Sequence, residues 1–143
     1  MEPSPGPGTD PVLGEGHYTV VLAGGGHRTL EVTRAGPDFR AGPFIVSYLC
    51  GPDNERDYRA FAHLTAAGDG RLWHRFRDDS ALANALAALV ADPTGAAGAY
   101  RRGLRCVRCR RRLTHPDSIE RGMGPSCARL QLVAAALAET LRP

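Results

Sequence analysis

Three cysteines in the last third of the chain constrain the fold more than any other feature. Cys106 and Cys109 form a C-x2-C pair, and Cys127 follows after seventeen further residues. Zinc prefers thiolate and imidazole ligands in a tetrahedron, and a C-x2-C turn brings two sulfurs to one ion. The spacing therefore predicts a zinc knuckle. Cys127 is expected at the start of a helix, where free amides favour a thiolate.

A fourth ligand would complete the tetrahedron. His115 is the best candidate by spacing, six positions after Cys109 and twelve before Cys127, although residues 114–118 also have the composition of a turn. Asp117 is an alternative oxygen donor. Cys50 is a further alternative if the preceding sheet folds over the knuckle; otherwise it is expected to be a buried thiol at a strand end.

The residues before the cysteines predict an antiparallel sheet and one helix. Runs typical of β-strands lie at 17–23, 28–34, 44–49, 59–64 and 71–76, separated by turn-forming residues. A helix is predicted over 80–91, where the apolar residues have helical spacing and Asp79 or Ser80 can cap the first turn. The last helix is expected to begin near Ser126.

These elements predict an α+β fold: a small antiparallel sheet with one packing helix, then the zinc knuckle and a C-terminal helix. Residues 1–14, rich in Pro and Gly, are expected to be a disordered tail. Residues 15–99 would form the sheet and helix, and 100–143 the knuckle and last helix. No apolar run is long enough to span a membrane, and no signal peptide is evident. We therefore expect a cytoplasmic chain with reduced cysteines.

Charge is distributed unevenly along the chain. Residues 1–99 carry eight Arg and twelve acidic residues, a net charge of −4, whereas residues 100–143 carry ten Arg and three acidic residues, a net charge of +7. Guanidinium groups match phosphate geometry, so the basic segment predicts contact with DNA or RNA. The arginines expected to make it are those that the knuckle would gather: Arg105, Arg108, Arg110, Arg111 and Arg112.

Two other functions remain open. The C-terminal helix, with an apolar stripe and many alanines, could pack on a protein partner, which would make the chain a zinc-stabilised adaptor. An enzymatic function is less favoured. Three thiolates make zinc a poor Lewis acid, so the zinc is expected to be structural and not catalytic. Carboxylates within 51–58 could perform acid–base chemistry, but that segment is more simply a polar turn followed by a strand.

The string CVRCRRRLTHPDSIERGMGPSC resembles the signature of an uncharacterised bacterial and phage family, C-x2-C-G-R-x-L-T-x-P-x-S-I-x-x-G-I-G-P-x-C. Upstream, VSYLCGPDNERDYRAFAHL is similar to that family's Y-L-x-G-P-D-N-x-x-D-Y-x-x-F segment, so the resemblance covers roughly 44–128. Arg110 replaces the family's glycine, and Met123 replaces its isoleucine. The layout of knuckle, turn and helix-borne ligand also resembles treble-clef zinc fingers. The resemblance implies a zinc module without implying a particular activity.

Overall fold

The computed structural model describes residues 13–141, and six strands in that range form one antiparallel sheet. The strands are β1 (Gly16–Val21), β2 (His27–Arg34), β3 (Phe44–Leu49), β4 (Tyr58–Leu64), β5 (Gly70–Leu72) and β6 (Tyr100–Arg102), in the spatial order β5-β4-β3-β2-β1-β6. The helices are α1 (Ser80–Ala91), α2 (Pro116–Arg121) and α3 (Pro125–Thr140). The predicted α+β fold is confirmed.

The main hydrophobic core lies between one face of the sheet and α1. Tyr18, Leu30 and Phe61 are each at most 1% exposed and pack with Leu82 and Leu89 of α1. The Asp79 carboxylate caps α1 by accepting a hydrogen bond from the Leu82 amide at 3.0 Å. Alanine has a high helix propensity, and burial of the apolar face supplies the further stability that a helix of this length needs.

The opposite face of the sheet is polar where it meets the cysteine-containing segment. Thr19 of β1 and Thr29 of β2 are buried, and their hydroxyl oxygens lie 3.0 Å apart. Both hydroxyls also lie within hydrogen-bond distance of the Thr114 carbonyl oxygen, at 3.0 and 3.3 Å. The sheet therefore lies between α1 and the knuckle, and hydrogen bonds rather than apolar packing join it to the knuckle.

Strand β6 is an element that the sequence pattern did not predict. It is three residues long and contains two arginines, so it lacks the alternation of a longer strand. Tyr100 pairs with Val20 of β1 and packs edge-on against Tyr18, with the ring centroids 5.2 Å apart. The chain thus adds an edge strand to the sheet just before it enters the knuckle.

Other differences are local. Strand β5 ends at Leu72, and a 3-10 turn over His74–Phe76 replaces the rest of the run predicted to Phe76. Of the predicted tail, residues 1–12 lie outside the described residues, whereas Leu13 is buried in the main core. No helix within residues 13–141 is long and apolar enough to cross a membrane.

Candidate metal centre

A tight hairpin places the first two cysteines. Arg105 and Arg112 form an antiparallel bridge, and the Cys106 amide donates to the Arg111 carbonyl oxygen at 2.8 Å. The Arg110 amide then donates back to the Cys106 carbonyl oxygen at 2.9 Å, which closes the turn. Cys106 and Cys109 consequently lie on the same turn, as the C-x2-C spacing predicts.

The turn requires an unusual backbone conformation at Arg110. This residue has φ of 67°, the only positive value at a non-glycine position among the described residues. An L-residue in the left-handed region crowds its own Cβ, which glycine avoids. A glycine, which the signature described above has at this position, would adopt this conformation without crowding, whereas Arg110 occupies the turn under strain.

Helices α2 and α3 bring Cys127 to the same place. Pro116 stands at the start of α2, where a missing amide hydrogen is tolerated, and Gly122 ends α2 with φ of 72°. The Val107 amide donates to the Gly122 carbonyl oxygen at 3.0 Å, which ties the hairpin to this end of α2. Cys127 lies in the first turn of α3, as predicted, and α3 begins at Pro125, one residue before the expected Ser126.

The three cysteine sulfurs lie within 4.8 Å of one another and could hold a metal ion. Zinc–sulfur bonds of about 2.3 Å in a tetrahedron separate sulfurs by about 3.8 Å, so small shifts would suffice for coordination. Cys106 is buried, Cys127 is half-buried and Cys109 is exposed. Leu113 and Ile119 pack around Cys106 in a small core separate from that of the sheet.

The cysteine thiols differ in pKa because their surroundings differ. Backbone amides of Cys109 and Gly124 donate hydrogen bonds to the Cys106 sulfur and lower the pKa of that thiol to about 6. Hydrogen bonding to the Cys109 sulfur, together with burial, raises the pKa of Cys127 to about 11. At Cys127 the neighbouring sulfurs and burial thus disfavour the thiolate that was expected at the start of a helix. A bound cation would reverse this balance by stabilising all three thiolates.

The other candidate ligands lie outside this group of sulfurs. His115 caps α2: its Nδ1 accepts a hydrogen bond from the Asp117 amide at 3.2 Å, and its ring packs edge-on against His27. Asp117 is exposed. Cys50 is also exposed, in contrast to the buried thiol that was expected, and its thiol donates to the Asp57 carbonyl oxygen at 3.3 Å.

The five candidate arginines fall into two groups. Arg105 and Arg112 turn toward Glu55, with nitrogen–oxygen distances of 2.6 and 3.6 Å respectively. Arg108, Arg110 and Arg111 are exposed, and within residues 13–141 their guanidinium groups have no ion-pair partner. The hairpin thus carries three uncompensated positive charges around the second cysteine.

Asn54 and Glu55 are site residues that were interpreted from the sequence only as part of a polar turn. The Asn54 side-chain amide donates to the Arg112 carbonyl oxygen at 3.1 Å, while Glu55 binds the side chains of the hairpin. The one sequence signal for this contact was the expectation that the G-P-D-N segment and the cysteine signature resemble one family. Two segments that occur together in a signature are candidates for contact.

A cavity of about 510 Å³ lies beside the cysteine cluster. The hairpin, α2 and the first turn of α3 form its walls, and all three cysteines line it. Three arginines also line it, among them Arg121, which was not a candidate from sequence; Asp117 is the one acidic residue among the lining residues. Apart from the cysteines, the residues that line the cavity therefore carry a net positive charge.

Comparison with known protein families gives a match to part of the chain. A family described as a family of unknown function, DUF6011, matches residues 96–131. Comparisons with curated proteins and with solved structures give no match. The matched range begins just before β6, contains the three cysteines and α2, and ends within α3. The segment that carries the candidate metal centre is thus similar to an uncharacterised family.

Proposed function

We propose that Cys106, Cys109 and Cys127 bind a structural zinc ion, and that the zinc holds an arginine-rich hairpin in position to bind nucleic acid. The observation that carries the proposal is the convergence of three sulfurs within 4.8 Å at the base of a hairpin. Three exposed arginines of this hairpin have no ion-pair partner among residues 13–141. Thiolate ligands favour zinc among the common divalent ions. Because three thiolates reduce its Lewis acidity, the zinc has a structural role.

His115 is proposed as the fourth ligand. It lines the same cavity as the cysteines, so its ring can approach the metal if Nδ1 releases the Asp117 amide. X-ray absorption at the zinc edge tests this assignment with His115→Ala. Loss of a nitrogen ligand in the variant supports it, whereas an unchanged spectrum assigns the fourth position to water or another donor.

The proposed nucleic-acid contact rests on Arg108, Arg110 and Arg111. These side chains are exposed and unpaired among the described residues, and the hairpin keeps them on one turn. Arg105 and Arg112, bound to Glu55, are proposed to contribute through the position of the hairpin and through longer-range attraction. No polar recognition helix lies beside them within residues 13–141, so the binding is expected to depend on phosphates more than on bases.

Binding of the zinc-loaded chain to a labelled single-stranded oligonucleotide tests this function. Replacing Arg108, Arg110 and Arg111 together by Gln should weaken binding at low salt by at least about tenfold. It should also reduce the slope of log affinity against log salt by about 2, since each single-strand phosphate contact contributes about 0.7.

A charge-matched control is Arg71, Arg75 and Arg77 replaced by Gln. These arginines lie on or just after β5, at the opposite edge of the sheet from β6. The control removes the same formal charge and should retain affinity near that of the wild type. Equal losses in the two variants would mean that only net charge matters, and absence of wild-type binding at low salt would exclude the function.

A protein-interaction adaptor is the second candidate, because α3 has no buried residue. Its apolar stripe is exposed, with Leu130 54%, Val133 53% and Leu137 57% accessible to solvent. Such a stripe is typical of a helix that packs on another protein. Salt separates the two functions: an apolar helix contact barely responds to salt, whereas a phosphate contact weakens steeply. Leu137→Glu tests the adaptor directly, because it should abolish partner binding and leave oligonucleotide binding unchanged.

A further inference from the structure

We propose that the cavity beside the cysteine cluster binds a phosphate monoester, and that Arg111 and Arg121 are its recognition residues. The monoester could be the terminal phosphate of a nucleic-acid strand or a free phosphate compound. Only the first source rests on the function proposed above. The argument has three parts: charge, space and the available hydrogen-bond donors.

Charge in the cavity is uneven. Arg111, Arg112 and Arg121 line the cavity, against Asp117 and the net formal charge of −1 that a zinc ion with three thiolates would carry. The Arg112 Nε lies 3.6 Å from a Glu55 carboxylate oxygen, so Arg112 already has an anionic partner. The guanidinium groups of Arg111 and Arg121 remain available for a ligand. The Arg111 guanidinium has no partner among the described residues, and that of Arg121 has only a long contact of 3.4 Å to the neutral Ser118 hydroxyl. Two arginines whose guanidinium groups have no ion-pair partner among the described residues thus line one cavity.

The space exceeds what the metal needs. The cavity measures about 510 Å³, whereas a water molecule occupies about 30 Å³ in the liquid, and a metal ion bound to the sulfurs would fill a comparably small part. Small-molecule sites in proteins span roughly 300–1,000 Å³. The remaining volume is therefore large enough for a phosphate group and part of the nucleotide that carries it.

The hydrogen-bond donors that line the cavity favour an anion with two negative charges. Arginine binds phosphate oxygens in a bidentate manner, and two arginines match the charge of about −2 that a monoester carries above pH about 6. Gly124, Pro125 and Ser126 at the start of α3 also line the cavity, and no side chain caps this helix. The first-turn amides of a sixteen-residue helix add favourable electrostatics for an anion. An internal phosphodiester carries only one charge and is the weaker fit.

The test compares two single-stranded oligonucleotides of identical sequence, one with a 5′-phosphate and one with a 5′-hydroxyl, on the zinc-loaded full chain. The phosphorylated strand is expected to bind at least about tenfold tighter. Inorganic phosphate and a nucleoside monophosphate are titrated separately by NMR, with saturable shifts expected at the amides of Ser126 and Cys127. Inorganic phosphate should compete away the advantage of the phosphorylated strand, a readout that needs no variant.

Arg111→Gln and Arg121→Gln should each abolish the preference for the phosphorylated strand. Arg129→Gln is the matched control, because Arg129 is an exposed arginine of the same α3 that does not line the cavity. Zinc content, measured for every variant, shows that the knuckle is intact.

The outcomes separate the two proposals. Equal binding of both strands, with no saturable phosphate binding, overturns the cavity proposal and leaves the nucleic-acid function in place. Saturable phosphate binding that needs Arg111 and Arg121, without oligonucleotide binding, supports the cavity and overturns the nucleic-acid function. A preference that survives both Gln variants overturns the assignment of these residues.

Discussion

Glu55 accepts two hydrogen bonds from Arg105, a residue fifty positions later in the chain, at 2.6 Å from Nη1 and 3.2 Å from Nη2. This pair joins the loop between β3 and β4 to the first strand of the knuckle hairpin. Asn54 holds the second strand through the Arg112 carbonyl oxygen. The loop therefore contacts both strands of the hairpin, and the candidate metal centre is positioned by the sheet as well as by its own ligands.

We expect Asn54→Ala to destabilise the docked hairpin by about 1–2 kcal/mol, since it leaves a half-buried carbonyl oxygen without its partner. Glu55→Gln should cost less, about 1 kcal/mol or below, because the carboxylate and both guanidinium groups are partly solvated. Hydrogen exchange of residues 104–113 measures the effect. Asp69→Asn, which removes an exposed contact to Arg71 at 4.0 Å, serves as the control. Unchanged exchange in Asn54→Ala would contradict the docking role.

Arg110→Gly should stabilise the knuckle by about 1 kcal/mol, because glycine adopts the left-handed conformation without the Cβ clash. Thermal or denaturant unfolding of the zinc-loaded chain measures this change. Arg111→Gly, which removes the same charge at a residue without a positive φ, should destabilise by roughly 0.5–1 kcal/mol. If both variants change stability equally, the strain at Arg110 is not significant.

His17 gives a prediction for pH. Burial, followed by the nearby Arg112 charge, lowers the pKa of His17 from 6.5 to about 4 in the folded chain, against the opposing effect of the Glu55 carboxylate. The Glu31 carboxylate, 3.0 Å from Nε2, also favours the protonated ring and makes the net shift smaller. The unfolded chain therefore takes up the proton first, and the free energy of unfolding should decrease as pH falls from about 6.5 to about 4. The contribution of this residue is roughly 1–3 kcal/mol, reduced by its partial solvation.

His17→Asn tests the pH prediction. Acid also displaces zinc from thiolates, but that effect is common to both proteins, so the difference between wild type and variant isolates the histidine. The variant should lose less stability than the wild type between pH about 6.5 and 4. Parallel curves over this range would show that His17 does not carry the dependence.

Local patterns were sufficient for most of the fold. Alternation in β2 and the helical spacing of Leu82, Leu86 and Leu89 are the patterns of elements that bury one face. Both elements bury one face in the structure, so the predictions hold. Strand β6 and α2 could not be predicted in this way, because each is very short. β6 depends on pairing with β1, and α2 depends on the cap at His115 and the left-handed Gly122.

The cysteine cluster was predictable because ligand spacing is a local property of the chain. The contacts that hold this segment were not predictable. Asn54 and Glu55 reach the hairpin from fifty or more residues away, and Thr19 and Thr29 of the sheet reach Thr114, just after the hairpin. Their partners are backbone carbonyls and arginines, which carry no distinctive sequence pattern. The division at residues 99 and 100 remains a prediction, although β6 pairs across it.

The central claim is that three thiolates hold one zinc ion and thereby order the arginine-rich hairpin. Elemental analysis combined with X-ray absorption at the zinc edge of the purified chain tests it most directly. We predict one zinc per chain with three sulfur ligands at about 2.3 Å, and loss of stoichiometric zinc in Cys106→Ser and Cys109→Ser. A chain that contains no stoichiometric metal, or that keeps one tightly bound zinc in both variants, would contradict the account.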